Sequence, residues 1–127
     1  MIKSNTIVLL LTLSVLSVTH FLSLNFYLYW IYPWLDSVTH TLGGVAVALG
    51  WFSLRDLHVL SSERWFRFLP SMFSVLAVAL SWELFEVAIG VSIHEPGYIG
   101  DTISDIIFGF SGGLFGYVMA KSLHDNL

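Results

Sequence analysis

Long apolar stretches, separated by short polar or turn-forming segments, dominate the chain. Each of the four stretches is close to the ~20 residues that an α-helix needs to cross a bilayer. The segments between them contain Pro33, the polar run Arg55–Glu63 and the pair Pro96–Gly97, which are typical of breaks between helices. The pattern therefore predicts four transmembrane helices, over about residues 7–30, 36–54, 69–90 and 102–120.

The composition agrees with a lipid environment. Of the 127 residues, 56% are hydrophobic and 11% are charged, whereas soluble domains are about a quarter charged. We therefore expect an all-α, polytopic membrane protein, a four-helix bundle that forms a single transmembrane domain over residues 1–127. The absence of cysteine excludes disulfides and thiolate metal sites. Five Lys and Arg residues are too few for a nucleic-acid surface, so no nucleic-acid partner is expected.

The distribution of positive charge predicts the orientation in the membrane. Every Lys and Arg lies before the first stretch, between the second and third, or after the fourth, at Lys3, Arg55, Arg64, Arg67 and Lys121. Because four spans put these three segments on one side, the positive-inside rule assigns that side to the cytoplasm. We expect both termini to be cytoplasmic. The segment Ser61–Phe68, with aromatic residues between two arginines, is predicted to lie on the inner membrane surface as an anchor.

Small residues recur on the last predicted helix. Gly109, Gly112, Gly113 and Gly116 give two overlapping small-xxx-small spacings, which let another helix approach closely. Packing within the chain is the favoured interpretation, and a homo-oligomer through this glycine-rich helix is the alternative. Gly43 and Gly44 are expected to play the same role on the second helix.

Three pairs of ionisable residues interrupt the apolar helices at helical spacing. Asp36 and His40 are one turn apart on the second helix, Glu83 and Glu86 are three residues apart on the third, and Asp101 and Asp105 are one turn apart on the fourth. With the orientation above, all three pairs fall in one layer near the outer face. His40 and Asp105 lie about 6 Å below the boundary residues, and Glu86 and Glu83 about 6 and 10 Å below the end of the third helix.

Each pair also has a simpler interpretation. Asp36 and Asp101 can act as N-caps, and His40 or His20 can be a hydrogen-bonded interior histidine. The two glutamates resist such an explanation, because they lie near a helix C-terminus, where the helix dipole disfavours negative charge. A carboxylate inside lipid costs roughly 2.5–3.5 kcal/mol at mid-membrane, less toward the interface. No Lys or Arg is present on that side to neutralise the acids.

A bound cation or shared protons would remove this penalty. We expect a divalent metal ion, and one imidazole with several carboxylates suits Mg²⁺, Mn²⁺, Fe²⁺ or Zn²⁺. The predicted ligands are His40, Glu83, Glu86, Asp101 and Asp105. A carboxylate free of the metal, Glu83 or Asp36, is the predicted catalytic base. The loop 91–100, which contains His94, Glu95 and Tyr98, is expected to lie over this site as a lid.

The ordered set of three pairs resembles the VanZ-like and YjdF-like small membrane proteins. The matching elements are Asp36 with His40 and Gly44, the run Trp82–Glu86, and Gly100 through Asp105 with Gly109. The resemblance covers about residues 35–117 and leaves the first helix unmatched. Many relatives have Lys after the first Asp, where this chain has Ser37. The string from Thr39 to Gly44 also resembles membrane-bound metal-dependent hydrolases of the YbcI type, whose later Pro-Asp-x-Asp-His element is absent. These resemblances imply a polar, metal-binding membrane site and bring no defined reaction.

Three functions fit these patterns. The first is a metal-dependent hydrolase or transferase that acts on a lipid or a lipid-linked envelope precursor at the extracytoplasmic side of the cell membrane. The second is a carrier for divalent cations or protons, although the inner halves of the second, third and fourth helices contain no ionisable residues that could bind the transported ion. The third is a non-catalytic binding or accessory protein in which the polar site holds three helices together.

Overall fold

The computed structural model describes residues 3–90 and 96–125, the last two by their backbone alone. All of its regular elements are helical, and no strand occurs in the part described. The α-helices are α1 (Ser4–Asn25), α2 (Leu28–Ile31), α3 (Trp34–Asp56), α4 (Phe68–Ala88) and α5 (Tyr98–Asp125), and a 3₁₀ turn covers Glu63–Phe66. Helices α1, α3, α4 and α5 are long and apolar enough to span a membrane. The predicted all-α, four-span architecture is therefore confirmed.

The first predicted helix differs most from the observed one. It was expected to run to residue 30, but α1 ends at Asn25 and a separate turn of helix, α2, follows. The break lies at Tyr27, whose φ of 54° is in the left-handed region that a continuous α-helix excludes. The opposite shift occurs at α5, which begins at Tyr98, directly after the left-handed Gly97, rather than at residue 102.

Helix α3 is the centre of the bundle. It packs most extensively against α5, and it also contacts α1 and α4. Helix α1 lies at the periphery: only Asn5 and Ser23 are buried among its 22 residues, and most of its large apolar side chains are exposed. Exposed leucine, valine and phenylalanine side chains are expected on a surface whose solvent is lipid.

Glycines allow α3 and α5 to approach backbone to backbone. A Cβ atom added at Gly44 would overlap the carbonyl oxygen of Gly109, and one at Gly112 would overlap that of Thr41. At Gly116 an added Cβ would lie only 2.9 Å from the Cα of Val45. The glycine-rich face of the last helix is therefore used inside the chain, as the spacing predicted, and any larger residue there would push the two helices apart.

Apolar residues fill the bundle between this glycine contact and the far end. The core there is formed by Val45, Ala48, Leu49, Phe52, Phe66, Met72, Val75 and Ala120. No charged side chain is buried within these clusters. Apart from the ion pairs at the helix ends, the polar side chains buried in this half of the described structure are the neutral ones of Asn5, Ser53 and Ser71.

Two ion pairs lie at the end of the bundle that carries the positive charges. The Nζ of Lys3 lies 3.5 Å from Oδ1 of Asp56 and ties the start of α1 to the end of α3. The guanidinium of Arg55 lies 3.6 Å from Glu63 and over the ring of Phe66, 5.1 Å from its centroid. These contacts fix the 3₁₀ turn against the end of α3.

Candidate metal centre

Polar side chains from three helices reach one layer at the opposite end of the bundle. His40 lies six residues from the start of α3 and Asp105 seven from the start of α5, which at 1.5 Å per residue is about 9–10 Å. Glu83 lies five residues before the end of α4, about 8 Å from that end. Since α4 runs in the opposite direction to α3 and α5, the three residues lie at similar distances from the same end of the bundle.

Asp36, His40 and Asp105 form a compact group in which one ligand atom from each lies within 4.8 Å of the others. The Nε2 of His40 is 3.6 Å from Oδ1 of Asp36 and 3.7 Å from Oδ2 of Asp105. The side chain of Asp105 is 5% exposed and that of His40 is 15% exposed, whereas Asp36 is 37% exposed. The group is therefore buried at Asp105 and His40 and open to its surroundings at Asp36.

Local geometry explains why these three residues meet. Asp36 and His40 are four residues apart, so α-helical spacing puts them on one face of α3. Asp105 faces them from α5 because Gly44 and Gly109, each one turn further along its helix, hold the two backbones in contact. The glycines thus set the distance across which the side chains interact.

The other predicted ligands are less close to this group. Glu83 is buried, at 8% exposure, and makes no hydrogen bond or ion pair with the residues that the structure describes. Glu86 accepts a hydrogen bond of 2.9 Å from the indole Nε1 of Trp82. Asp101 lies exposed in the first turn of α5. Asp36, which sequence reasoning offered as a base, lies beside His40, as their spacing of one turn predicted.

The charges at this end are nearly all negative. Asp105 interacts electrostatically with Asp36, Asp101, Glu83 and Glu86. Every Lys and Arg of the chain lies before α1, in the last turn of α3, between α3 and α4 or in the last turns of α5, so none of them faces this group. Histidine is the only residue type here that can carry a positive charge, and one imidazole does not balance this many carboxylates.

A hydrogen-bonded pair beside the group was missed by sequence reasoning. The Nδ1 of His20 and the hydroxyl of Tyr29 are 2.7 Å apart, and the imidazole lies edge-on to the indole of Trp82, with 6.4 Å between centroids. The Tyr29 hydroxyl also interacts with Thr39, next to His40. Burial raises the pKa of Tyr29 above its ordinary value of 10.0, and the charge of Asp36 adds to this. The sequence did not indicate a role for Tyr29, because the first helix was predicted to continue past this residue.

The three side chains are of types that could hold a divalent cation, and they are not joined by direct hydrogen bonds. Separations of 3.6 and 3.7 Å are too long for hydrogen bonds. Two atoms that each lie about 2.1 Å from one ion are about 3.0–3.4 Å apart in octahedral or tetrahedral geometry, so the two His40 separations would contract by a few tenths of an ångström, and the carboxylate oxygens, which lie within 4.8 Å of each other, would also have to move closer. Imidazole and carboxylate ligands suit Mn²⁺, Fe²⁺ and Zn²⁺, and carboxylates suit Mg²⁺.

The chain matches the model of a protein family. The model of the family described as "Predicted membrane protein (DUF2238)" matches residues 3–126, nearly the whole chain. The chain belongs to this family. Searches of curated proteins and of solved structures found no match.

Membership of DUF2238 agrees with the four spans and with a multi-pass location in a membrane. The family description names neither an activity nor a ligand, and it does not name VanZ-like or YjdF-like proteins, so that resemblance stays a prediction. The predicted lid residues His94 and Glu95 lie outside the described residues, whereas Tyr98 forms the start of α5.

Proposed function

We propose that this DUF2238 protein binds a divalent metal ion between α3 and α5, with Asp36, His40 and Asp105 as protein ligands. The observation that carries the proposal is the convergence of these three ligand atoms within 4.8 Å at a place without any Lys or Arg. Buried acids without a counter-charge destabilise a membrane protein, and a cation held between them removes that cost.

We further propose that the metal serves a hydrolase or transferase reaction on a lipid or a lipid-linked envelope precursor. A bound divalent ion supplies Lewis acidity toward a phosphoryl or carbonyl oxygen and lowers the pKa of a coordinated water. Glu83 is the proposed general base, because it is buried within electrostatic range of Asp105 and has no hydrogen bond or ion pair among the described residues. Glu86 and Asp101 are proposed to tune the charge around the ion.

We propose the side of the membrane from the distribution of charge. All five Lys and Arg residues lie at or beyond the opposite helix ends, which supports an inward-facing basic end and an extracytoplasmic metal site. A substrate in the outer leaflet would then meet the half-exposed side of the group at Asp36. A carrier function is disfavoured, because the buried clusters below the group contain no ionisable side chain among the described residues, although Ser53 and Ser71 are buried beside them.

A non-catalytic, accessory role is the second candidate. Its support is that the ligands come from α3 and α5, the two helices in closest contact. A metal ion there would cross-link the bundle whether or not it took part in a reaction. Stability that depends on metal, without turnover of any lipid-linked phosphate or ester, would favour this role.

The proposal is tested by the metal content of protein purified in detergent. Inductively coupled plasma mass spectrometry on the wild type is expected to find about one divalent ion per chain. The double variant His40→Ala/Asp105→Asn is expected to lose it, and Glu63→Gln, which removes an exposed acid at the other end, to keep it. Circular dichroism and gel filtration confirm folding in each case. Absence of metal from folded wild type, even after supply of Mg²⁺, Mn²⁺, Fe²⁺ and Zn²⁺, would overturn the proposal.

A further inference from the structure

An apolar groove of about 800 Å³ lies on the side of the bundle, toward the basic end. This volume is within the ~300–1,000 Å³ range of ligand sites. Helix α4 forms its floor, and α3, the 3₁₀ turn and α5 contribute one side chain each, so that the lining includes Trp51, Trp65, Leu69, Phe73, Val78 and Phe110.

The length of the groove matches one leaflet of a bilayer. On α4 it runs from Leu69, next to the helix start, to Val78. Nine residues at 1.5 Å per residue make about 14 Å, and half of a hydrocarbon core of ~30 Å is about 15 Å. The groove therefore begins at the membrane boundary and ends near the middle, well short of the metal group at the other end.

Aromatic and basic residues form the mouth of the groove. The indole Nε1 of Trp51 donates a hydrogen bond of 2.8 Å to the carbonyl oxygen of Trp65, which fixes the 3₁₀ turn at this edge. The guanidinium carbon of Arg64 lies over the Trp65 ring, 5.3 Å from its centroid. The ring of Trp65 thus lines the groove and contacts a cation at the same time.

The charge at the mouth is available to a ligand. The neighbouring acid, Glu63, lies 3.6 Å from Arg55, and Arg64 makes no ion pair with any residue that the structure describes. Arg67, directly before α4, adds a second positive charge on the same short segment. An apolar slot one leaflet deep, with two arginines at its interfacial end, is complementary to an anionic amphiphile.

We propose that this groove holds an acyl chain of an anionic phospholipid of the inner leaflet, with its phosphate group at Arg64 and Arg67. Trp51 and Trp65 lie at headgroup level, where aromatic residues are enriched in membrane proteins. The site is separate from the metal group, and it depends on the orientation proposed above only for the name of the leaflet.

Native mass spectrometry tests this binding. The protein is released from nanodiscs that contain equal amounts of phosphatidylglycerol and phosphatidylcholine with identical acyl chains. The wild type is expected to retain phosphatidylglycerol at least threefold over phosphatidylcholine. Arg64→Gln is expected to remove this preference, and Val78→Trp, which fills the groove, to reduce the retention of both lipids.

Matched variants control for charge and bulk. Lys121→Gln removes a cation at the same end, and Val118→Trp enlarges an exposed residue of α5 that does not line the groove. Both are expected to behave as wild type. Equal retention of the two lipids by wild type, or the same loss in Lys121→Gln as in Arg64→Gln, would overturn the proposal. So would a Val78→Trp variant that keeps its lipid but loses a dimer seen for wild type, since the occupant would then be a second chain.

Discussion

Gly44 of α3 lies so close to Gly109 of α5 that a single added carbon at Gly44 would overlap the carbonyl oxygen of Gly109. Gly44 is one turn along its helix from His40, and Gly109 is one turn from Asp105. The spacing between the two ligand-bearing backbones is therefore set one turn below the ligands. Any change in that contact alters the metal group without touching a ligand.

Gly44→Ala is expected to lower the free energy of unfolding by about 1–3 kcal/mol, the usual range for overpacking. It should also weaken metal binding, because α3 and α5 must separate. Thermal unfolding in detergent and metal titration measure the two effects. The matched control is Gly43→Ala, whose added Cβ would meet no heavy atom within 4 Å. An Ala at residue 43 should be neutral or stabilising by up to ~1 kcal/mol; equal effects of the two variants would contradict the prediction.

His40→Ala is expected to abolish the rise in melting temperature that added metal produces in wild type. Binding to the folded state alone stabilises it by about 2.7 kcal/mol when free metal is a hundredfold above Kd. His58→Ala is the comparison, because His58 is exposed beyond the other end of α3. The quantity compared is the metal-induced shift of each variant against its own metal-free form. A shift that survives in His40→Ala would remove this histidine from the ligand set.

Glu83→Gln is expected to act in opposite directions with and without metal. In the metal-free protein it removes repulsion with Asp105 and should stabilise the fold by about 1 kcal/mol. With metal it should reduce the gain from binding, since one negative charge near the ion is lost. Glu63→Gln, at a 72% exposed position at the other end of the bundle, should leave the gain from metal binding unchanged. A destabilised metal-free Glu83→Gln would indicate that Glu83 has a structural role instead.

Tyr29 is expected to ionise above its ordinary pH range, because burial, aided by the charge of Asp36, raises its pKa above 10.0. The folded state prefers the neutral phenol, so this contribution to stability is complete below pH 10.0 and is lost as the pH rises through the higher folded-state value. The difference in ultraviolet absorbance between wild type and Tyr29→Phe during a pH titration isolates this group. A difference centred at or below pH 10 would contradict the prediction.

The proposed orientation predicts the accessibility of single cysteines. Because the chain has no cysteine, each substitution provides a unique label site. Tyr32→Cys should react with a membrane-impermeant maleimide on intact cells, and Val59→Cys only after permeabilisation. Both positions are exposed, at 48% and 65%, so burial does not confuse the comparison. The reverse pattern would move the metal group to the cytoplasmic side.

The spans and the common depth of the ionisable pairs could be read from the sequence, because hydropathy and a fixed rise per residue determine both. The rotation of each helix could not. Helix α4 is apolar on nearly every side, so no pattern indicated that Glu83 is buried while Glu86 turns back to Trp82. The role of Asp36 was likewise open, since its position in the first turn of α3 fits a cap as well as a ligand.

The break at Tyr27 also escaped prediction, because a left-handed tyrosine has no sequence signature comparable to glycine. This break has a consequence for the second polar pair, since it lets Tyr29 turn back onto His20 of the preceding helix. Sequence reasoning could offer His20 as a hydrogen-bonded interior histidine, but it could not supply the partner.

The pairing of α3 with α5 also determines when the group of Asp36, His40 and Asp105 can form during synthesis. Asp36 and His40 leave the ribosome with the second span, and Asp105 arrives only with the last. Helix α3 is the least hydrophobic of the four spans, so until α5 is made its glycine face and its two ionisable groups lack their partner. The site can therefore be completed only after α5 has been made, and a chain truncated before α5 is expected to leave the polar groups of α3 without their partner.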